Sequence, residues 1–183
     1  MNTDPVPITF EEAEGLSFND VPEESRVKVY GVRYVFLVDE AGNEMYVTQL
    51  GWGKLDNLHP KNWYLDKRYA KEGERLTEGS GVVYRVNTRN RHGNRQDLVV
   101  KFSRFAEEVP LHVAQTFPGK MPEGVENAEF NDPFQEFGLV VDLRNGKFGP
   151  KDIKIRVKHP IAIFSPATRL AAWKLGREKE IGR

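Results

Sequence analysis

The chain has 183 residues, 39% hydrophobic and 30% charged, which allows one hydrophobic core beneath a strongly polar surface. Its lack of cysteine excludes disulfides, thiolate metal sites and cysteine nucleophiles, and suits a reducing compartment. No segment holds the roughly 20 apolar residues that cross a bilayer, and the acidic start lacks the pattern of a signal peptide. We therefore expect a cytoplasmic protein without membrane association.

Charge is distributed unevenly although its sum is zero. The acidic N-terminal segment, residues 1–25, carries seven acids and no Lys or Arg, whereas residues 151–183 carry nine Lys or Arg against three acids. Such asymmetry is typical of a nucleic-acid-binding face, of two ends that attract each other, or of a basic end that meets an acidic partner. The nucleic-acid reading is the less favoured one, because the basic residues lack the interleaved aromatics on which bases stack.

The first half of the chain predicts a β-hairpin. Residues 26–38 alternate in polarity and are rich in Val, Tyr and Phe, residues 39–43 have turn composition, and residues 44–50 alternate again. Residues 51–72 show no sustained period and contain Gly, Pro, Trp and Tyr, which indicates an ordered loop held by buried aromatics. Residues 26–72 are therefore expected to form a hairpin extension and an aromatic loop.

The second half predicts a sheet domain over residues 73–166 and a basic helix over residues 167–183. A candidate N-cap at Asn131 or Asp132 before Pro133 favours one short helix that ends at Gly138. The strands expected from alternation are residues 81–87, 97–104, 138–144 and 153–164, the first two joined as a hairpin through residues 88–96. The fold class is thus α+β, a mostly antiparallel sheet with one short embedded helix.

Two features of residues 75–101 indicate an anion-binding site. Gly79 and Gly81 flank Ser80 at a turn between strands, where absent side chains let backbone amides approach an anion. Lys101 lies in an apolar strand between Val100 and Phe102, so its ammonium must reach solvent or an anionic partner.

In this pattern the chain resembles the nucleotide-binding N-terminal lobe of protein kinases. There a glycine turn leads into V-x-Y and, after a hairpin, a strand carries a lysine that follows Val or Ala. The matching residues are Gly79, Ser80, Gly81, Val83, Tyr84, Val99, Val100 and Lys101. The resemblance implies ATP as a cofactor, with its phosphates cradled by the glycine turn and neutralised by Lys101, and with Glu136 pairing with that lysine.

The resemblance also limits the expected activity. The chain has no catalytic-loop His-Arg-Asp motif, and Glu136-Phe137-Gly138, similar to the metal-binding Asp-Phe-Gly, precedes any position for that loop. We therefore expect no catalytic residue and no metal ligand here, and Mg²⁺ only together with a missing catalytic lobe. The implied function is the nucleotide-holding or regulatory part of a larger phosphotransferase, inactive alone.

Two other functions stay open at this point. One is a non-enzymatic module that docks a protein partner through the hairpin sheet and the oppositely charged ends. The other is a nucleic-acid binder that uses the basic C-terminus and hairpin arginines, namely Arg85, Arg89, Arg91 and Arg95. A metal site has no support from spacing at the four histidines, which are His59, His92, His112 and His159.

Overall fold

The chain is an α+β protein, and its computed structural model describes residues 4–76, 82–102, 133–148 and 157–168. Within these ranges the strands are β1 (Ile8–Thr9), β2 (Arg26–Val29), β3 (Val32–Val38), β4 (Glu44–Thr48), β5 (Glu74–Leu76), β6 (Val82–Arg89), β7 (Arg95–Phe102) and β8 (Ala162–Ser165). The α-helices are α1 (Phe10–Ala13), α2 (Gln49–Trp52), α3 (Leu55–Leu58), α4 (Arg68–Lys71) and α5 (Pro133–Arg144). Short 3₁₀ turns occupy Glu23–Ser25, Pro60–Asn62 and Leu65–Lys67.

The larger sheet has five strands and is built around β3. Strand β4 pairs antiparallel with β3, and β8 pairs antiparallel with the far side of β4. On the other side of β3, β2 pairs antiparallel with its first residues and β1 pairs parallel with its last. Because it is covered on both faces, β3 is buried except at Arg33 and Val38.

Turn chemistry sets the limits of the first strands. The single strand predicted over residues 26–38 is wrong, because Tyr30 and Gly31 both take positive φ, 45° and 79°, and reverse the chain between β2 and β3. The predicted hairpin of β3 and β4 is confirmed. At its turn the Asp39 carboxylate accepts hydrogen bonds from the backbone N–H groups of Ala41 and Asn43, at 3.0 and 2.9 Å.

A three-stranded sheet, in the order β5-β6-β7, packs against one face of the larger sheet. Strands β6 and β7 form the hairpin predicted for the second half, and each extends two residues further toward the turn than predicted. Buried aromatics from the connecting segment lie between the two sheets, among them Trp52, Trp63 and Tyr69. The acidic N-terminal segment joins the same core through Phe10 and Phe18.

Helix α5 covers the opposite face of the larger sheet, where sequence analysis predicts a strand over residues 138–144. That strand is wrong. Val140 and Val141 favour a strand locally, but Phe134, Phe137 and Val141 recur at helical spacing and pack together against the sheet. Gly138 does not end the helix either, since it lies inside α5.

The C-terminal part of the described chain completes the larger sheet. Of the strand predicted over residues 153–164, residues 153–156 lie outside the described residues and residues 157–161 are not in a strand. Strand β8 begins at Ala162 and pairs with β4, so it joins residues on both sides of the expected boundary between residues 72 and 73. Residues 169–183 of the expected terminal helix lie outside the described residues. Over the ranges that are described, no helix combines the length and the apolar character that a membrane crossing needs.

Candidate functional site

Lys101 lies near the end of β7 on the outer face of the small sheet. Burial alternates along β6 and β7, so that Tyr84 and Leu98 point into the core while Lys101 points away from it. Its direct neighbour on β6 is Val83. Strand alternation thus exposes the ammonium while the residues on either side of it, Val100 and Phe102, pack against the core.

Glu136 lies in the first turn of α5, where a carboxylate interacts favourably with the helix dipole. Two aromatic side chains hold this turn on the sheet. The ring centroid of Phe134 lies 5.4 Å from that of Tyr34 and 5.0 Å from that of Tyr46, in edge-to-face geometry, and Phe137 lies 6.3 Å from Tyr34.

Lys101 and Glu136 form a two-point ion pair. The lysine Nζ lies 2.7 Å from Oε1 and 2.6 Å from Oε2 of the carboxylate. Both side chains are about half exposed, at 51% and 45%. Pairs with this exposure contribute about 0.2–1 kcal/mol to stability, so the fold does not depend on this contact.

The geometry leaves the ammonium able to bind an anion. An ammonium has three N–H donors, and two of them serve the Glu136 carboxylate, so one remains for a phosphate oxygen at the exposed side. The other expected nucleotide contacts, Gly79, Ser80 and Gly81, lie outside the described residues. The described part of this site is therefore the Lys101–Glu136 pair, with one ammonium N–H directed away from the carboxylate.

A metal site needs several His, Asp or Glu side chains close together. Among the described residues, no group of three or more His, Asp or Glu side chains is arranged to hold a metal ion. His59, His92 and His159 therefore belong to no such group, and His112 lies outside the described residues.

Two of the arginines expected to contact nucleic acid are engaged within the protein. Arg85 forms an ion pair with Glu74 on the neighbouring strand β5, and Arg91 forms one with Glu14 beyond α1. Each guanidinium is thus already neutralised, which removes half of the four hairpin arginines from a continuous basic surface.

A cleft of about 360 Å³ lies between the N-terminal segment, residues 52–61 and the β6–β7 turn. Its lining includes the buried rings of Phe10 and Trp52 together with His59, Asp56 and Arg91. Sequence reasoning missed this cleft because its residues come from three distant segments, none of which carries a motif.

His59 lines this cleft and has a lowered pKa. Burial lowers its pKa, Lys61 lowers it further, and the carboxylates of Glu11, Asp39 and Asp56 oppose the shift in part. The ring packs 4.6 Å from that of Phe10, and Nδ1 accepts a hydrogen bond from the backbone N–H of Lys61 at 3.3 Å.

The size of the cleft suits a small molecule, but its one arginine is engaged within the protein. Arg91 bridges the two sides of the cleft, since its guanidinium pairs with Glu14 and its backbone N–H donates to the Asp56 carboxylate. We therefore assign no ligand to the cleft and take the Lys101–Glu136 pair as the candidate site.

Comparison with known proteins identifies no family. No protein-family model matches the chain, and no curated protein or solved structure matches it significantly.

Proposed function

We propose that the chain is a kinase-like nucleotide-holding lobe, which binds the phosphates of ATP and serves as the nucleotide-holding or regulatory part of a larger phosphotransferase. The observation that supports this proposal is the contact of Lys101 on β7 with Glu136 on α5, at 2.6 and 2.7 Å. In the family that the sequence resembles, a strand lysine and a helix glutamate form this same pair beside the nucleotide.

The order of the elements also supports the proposal. Gly81 directly precedes β6, β7 follows β6 and carries Lys101, and α5 comes next and carries Glu136. This is the order of glycine turn, lysine strand and glutamate helix that the resemblance implies. One difference is that α5 packs on β2 and β3 of the larger sheet, so the two partners belong to different layers of the fold.

The carboxylate of Glu136 prepares Lys101 for an anion. A lysine side chain loses much rotamer freedom when its ammonium is fixed, and here the ion pair has already fixed it. A triphosphate that arrives at the exposed side then gains a charge-assisted hydrogen bond without ordering the lysine itself.

We restrict the proposal to nucleotide holding. Phosphoryl transfer needs a residue that orients the nucleophile and acidic or amide side chains that hold metal ions. The sequence shows no catalytic-loop motif, so a protein partner or a catalytic lobe must supply those groups. The cysteine-free composition is in keeping with a cytoplasmic setting for such a partnership.

Thermal melting in the presence of ATP tests the proposal. A ligand at about 100 times its Kd stabilises a folded protein by about 2.7 kcal/mol, which raises Tm measurably. We expect ATP to raise the Tm of the wild type and not that of Lys101→Met. Lys147→Met is the matched control. It also removes a lysine ion pair, because Nζ of Lys147 lies 2.8 Å from the carboxylate of Asp142 in α5, and it should keep the ATP response.

An equal ATP response in the wild type and in Lys101→Met would contradict the proposal. The alternative functions give different results in parallel assays. A nucleic-acid binder is retained on heparin in a way that salt abolishes steeply, whereas an assembly module shows oligomers or a co-purifying partner and no ATP response.

A further inference from the structure

Arg89 and Arg95 are direct cross-strand neighbours at the end of the hairpin formed by β6 and β7. Both side chains are exposed on the outer face of the small sheet. Side chains in such positions have Cβ atoms about 4.5–5.5 Å apart, so the two guanidinium groups share one small region of surface.

The other two arginines of this hairpin form ion pairs within the protein. Arg85 pairs with Glu74 and Arg91 with Glu14. Among the described residues, no carboxylate lies within 4.0 Å of the guanidinium nitrogens of Arg89 or Arg95.

Asp97 lies on the same face, two residues from Arg95, and keeps its negative charge without forming an ion pair with either arginine. Its Oδ1 accepts a hydrogen bond from Nδ2 of Asn87, the residue directly opposite, at 2.8 Å. Like charges placed directly opposite each other destabilise a strand pair. The two arginines therefore place two positive charges side by side, which the single carboxylate of Asp97 offsets only in part.

We infer that Arg89 and Arg95 form a binding site for a phosphate monoester. Such a group carries between −1.5 and −2 charges at pH 7 and offers three acceptor oxygens, which matches two guanidinium groups in charge and in hydrogen bonding. Each guanidinium presents a planar fork of donors that fits phosphate oxygens.

A single dianion suits this site better than a nucleic-acid backbone. A backbone of diesters needs a row of available cations, yet the arginines on either side, Arg85 and Arg91, are occupied by Glu74 and Glu14. The same chemistry is offered by a phosphorylated protein side chain and by a small organic phosphate.

This site is separate from the proposed nucleotide site. Lys101 lies six residues further along β7 than Arg95, which corresponds to about 20 Å of extended strand. Variants of the two sites are therefore independent, and a failure of nucleotide binding at Lys101 leaves this inference unaffected.

The test is a titration at pH 7.5 and low salt with a phosphoserine peptide, its unphosphorylated form and glycerol phosphate. We expect the wild type to bind the phosphorylated compounds, and Arg89→Gln and Arg95→Gln each to weaken that binding by about tenfold or more. Arg85→Gln is the matched control on the same face and should change the affinity by less than about twofold, because Arg85 is paired with Glu74.

The two phosphate sources are distinguished in the same experiment. A peptide that binds at least about tenfold more tightly than glycerol phosphate assigns the site to a phosphorylated protein, and equal affinities assign it to a small phosphate. The inference would be overturned if Arg89→Gln and Arg95→Gln bound the phosphorylated compounds as tightly as the wild type does. It would also be overturned if the wild type bound neither compound.

Melting curves without any phosphate supply a second readout. Relief of the repulsion predicts that Arg89→Gln or Arg95→Gln raises Tm at low salt and that added salt reduces the gain. A fall in Tm in both variants would show that the arginines stabilise the hairpin, and it would also overturn the inference.

Discussion

Lys101 and Glu136 are 35 positions apart in the sequence, and their side chains meet with Nζ 2.6 Å from Oε2. The contact joins the small sheet, through β7, to the helix that covers the far face of the larger sheet. Phe134 packs on Tyr34 and fixes that helix two residues before Glu136. The position of α5 on the larger sheet therefore determines where the ammonium of Lys101 is held.

Removal of the ion pair should have little effect on the stability of the fold. Both side chains are half exposed, so we expect a double-mutant cycle of Lys101→Met and Glu136→Gln to give a coupling of about 0.2–1 kcal/mol. Urea unfolding at low and high salt measures it, and the coupling should shrink as salt rises. A coupling of several kcal/mol at high salt would instead identify the pair as a structural contact.

Gly138→Ala should destabilise the protein by displacing α5. A Cβ built on Gly138 would lie 2.9 Å from both the Cβ and the carbonyl oxygen of Tyr30, closer than real contacts allow. Overpacking of this kind costs about 1–3 kcal/mol, which outweighs the gain of about 1 kcal/mol from replacing a helical glycine by alanine.

The control for this variant is the neighbouring residue. Leu139 is 51% exposed, and Leu139→Ala should change the free energy of unfolding by no more than about 0.5 kcal/mol. If Gly138→Ala proved more stable than the wild type, α5 would not approach the β2–β3 turn as closely as described.

Gly51 and Gly53 offer a matched pair for the attachment of β8. A Cβ on Gly51 would overlap the carbonyl oxygen of Ile161, just before β8, whereas a Cβ on Gly53 would meet nothing within 4 Å. We expect Gly51→Ala to cost at least about 2 kcal/mol and Gly53→Ala to be nearly neutral in chemical unfolding. Equal effects of the two substitutions would disagree with the described path of residues 157–161.

His59 should make the protein less stable as the pH falls. Its folded-state pKa is lowered, first by burial and then by Lys61, so the unfolded chain binds a proton more readily than the folded chain. Its contribution is therefore fully present above the ordinary value of 6.5 and is lost as the pH falls from there through the lowered folded-state pKa.

The measurement is the free energy of unfolding of the wild type and of His59→Gln between pH 7.5 and pH 5. One titrating proton changes stability by at most about 1.4 kcal/mol per pH unit, and the half-buried position of His59 makes a smaller slope the expected result. The variant should lose that part of the slope. Identical slopes in the two proteins would rule out His59 as its source.

Local patterns were sufficient to predict the two hairpins. Alternation with a turn between the strands marks β3 with β4 and β6 with β7, because each hairpin buries one set of alternate residues and closes through nearby glycine or asparagine. The same alternation places Lys101 on an outer face. Its contact with Glu136 was expected only through the resemblance, since no local signal links positions so far apart.

Tertiary packing decided what the sequence could not specify. The segment of α5 contains Gly138 and two adjacent valines, a composition that favours a strand locally. It forms a helix because Phe134 and Phe137 then lie on one face and pack together on the larger sheet. The place of β8 beside β4 depends on a pairing across more than a hundred residues, and alternation within either strand cannot encode a partner.

Calorimetric titration of ATP into the wild type and into the charge-swapped variant Lys101→Glu/Glu136→Lys tests the central claim most directly. The swap keeps an ion pair between β7 and α5 but removes the ammonium from the strand. Nucleotide holding by Lys101 predicts that ATP binds the wild type and binds the swapped protein at least about tenfold more weakly, while their stabilities differ by less than about 1 kcal/mol. Equal affinities in the two proteins, or no binding by the wild type, would contradict the account.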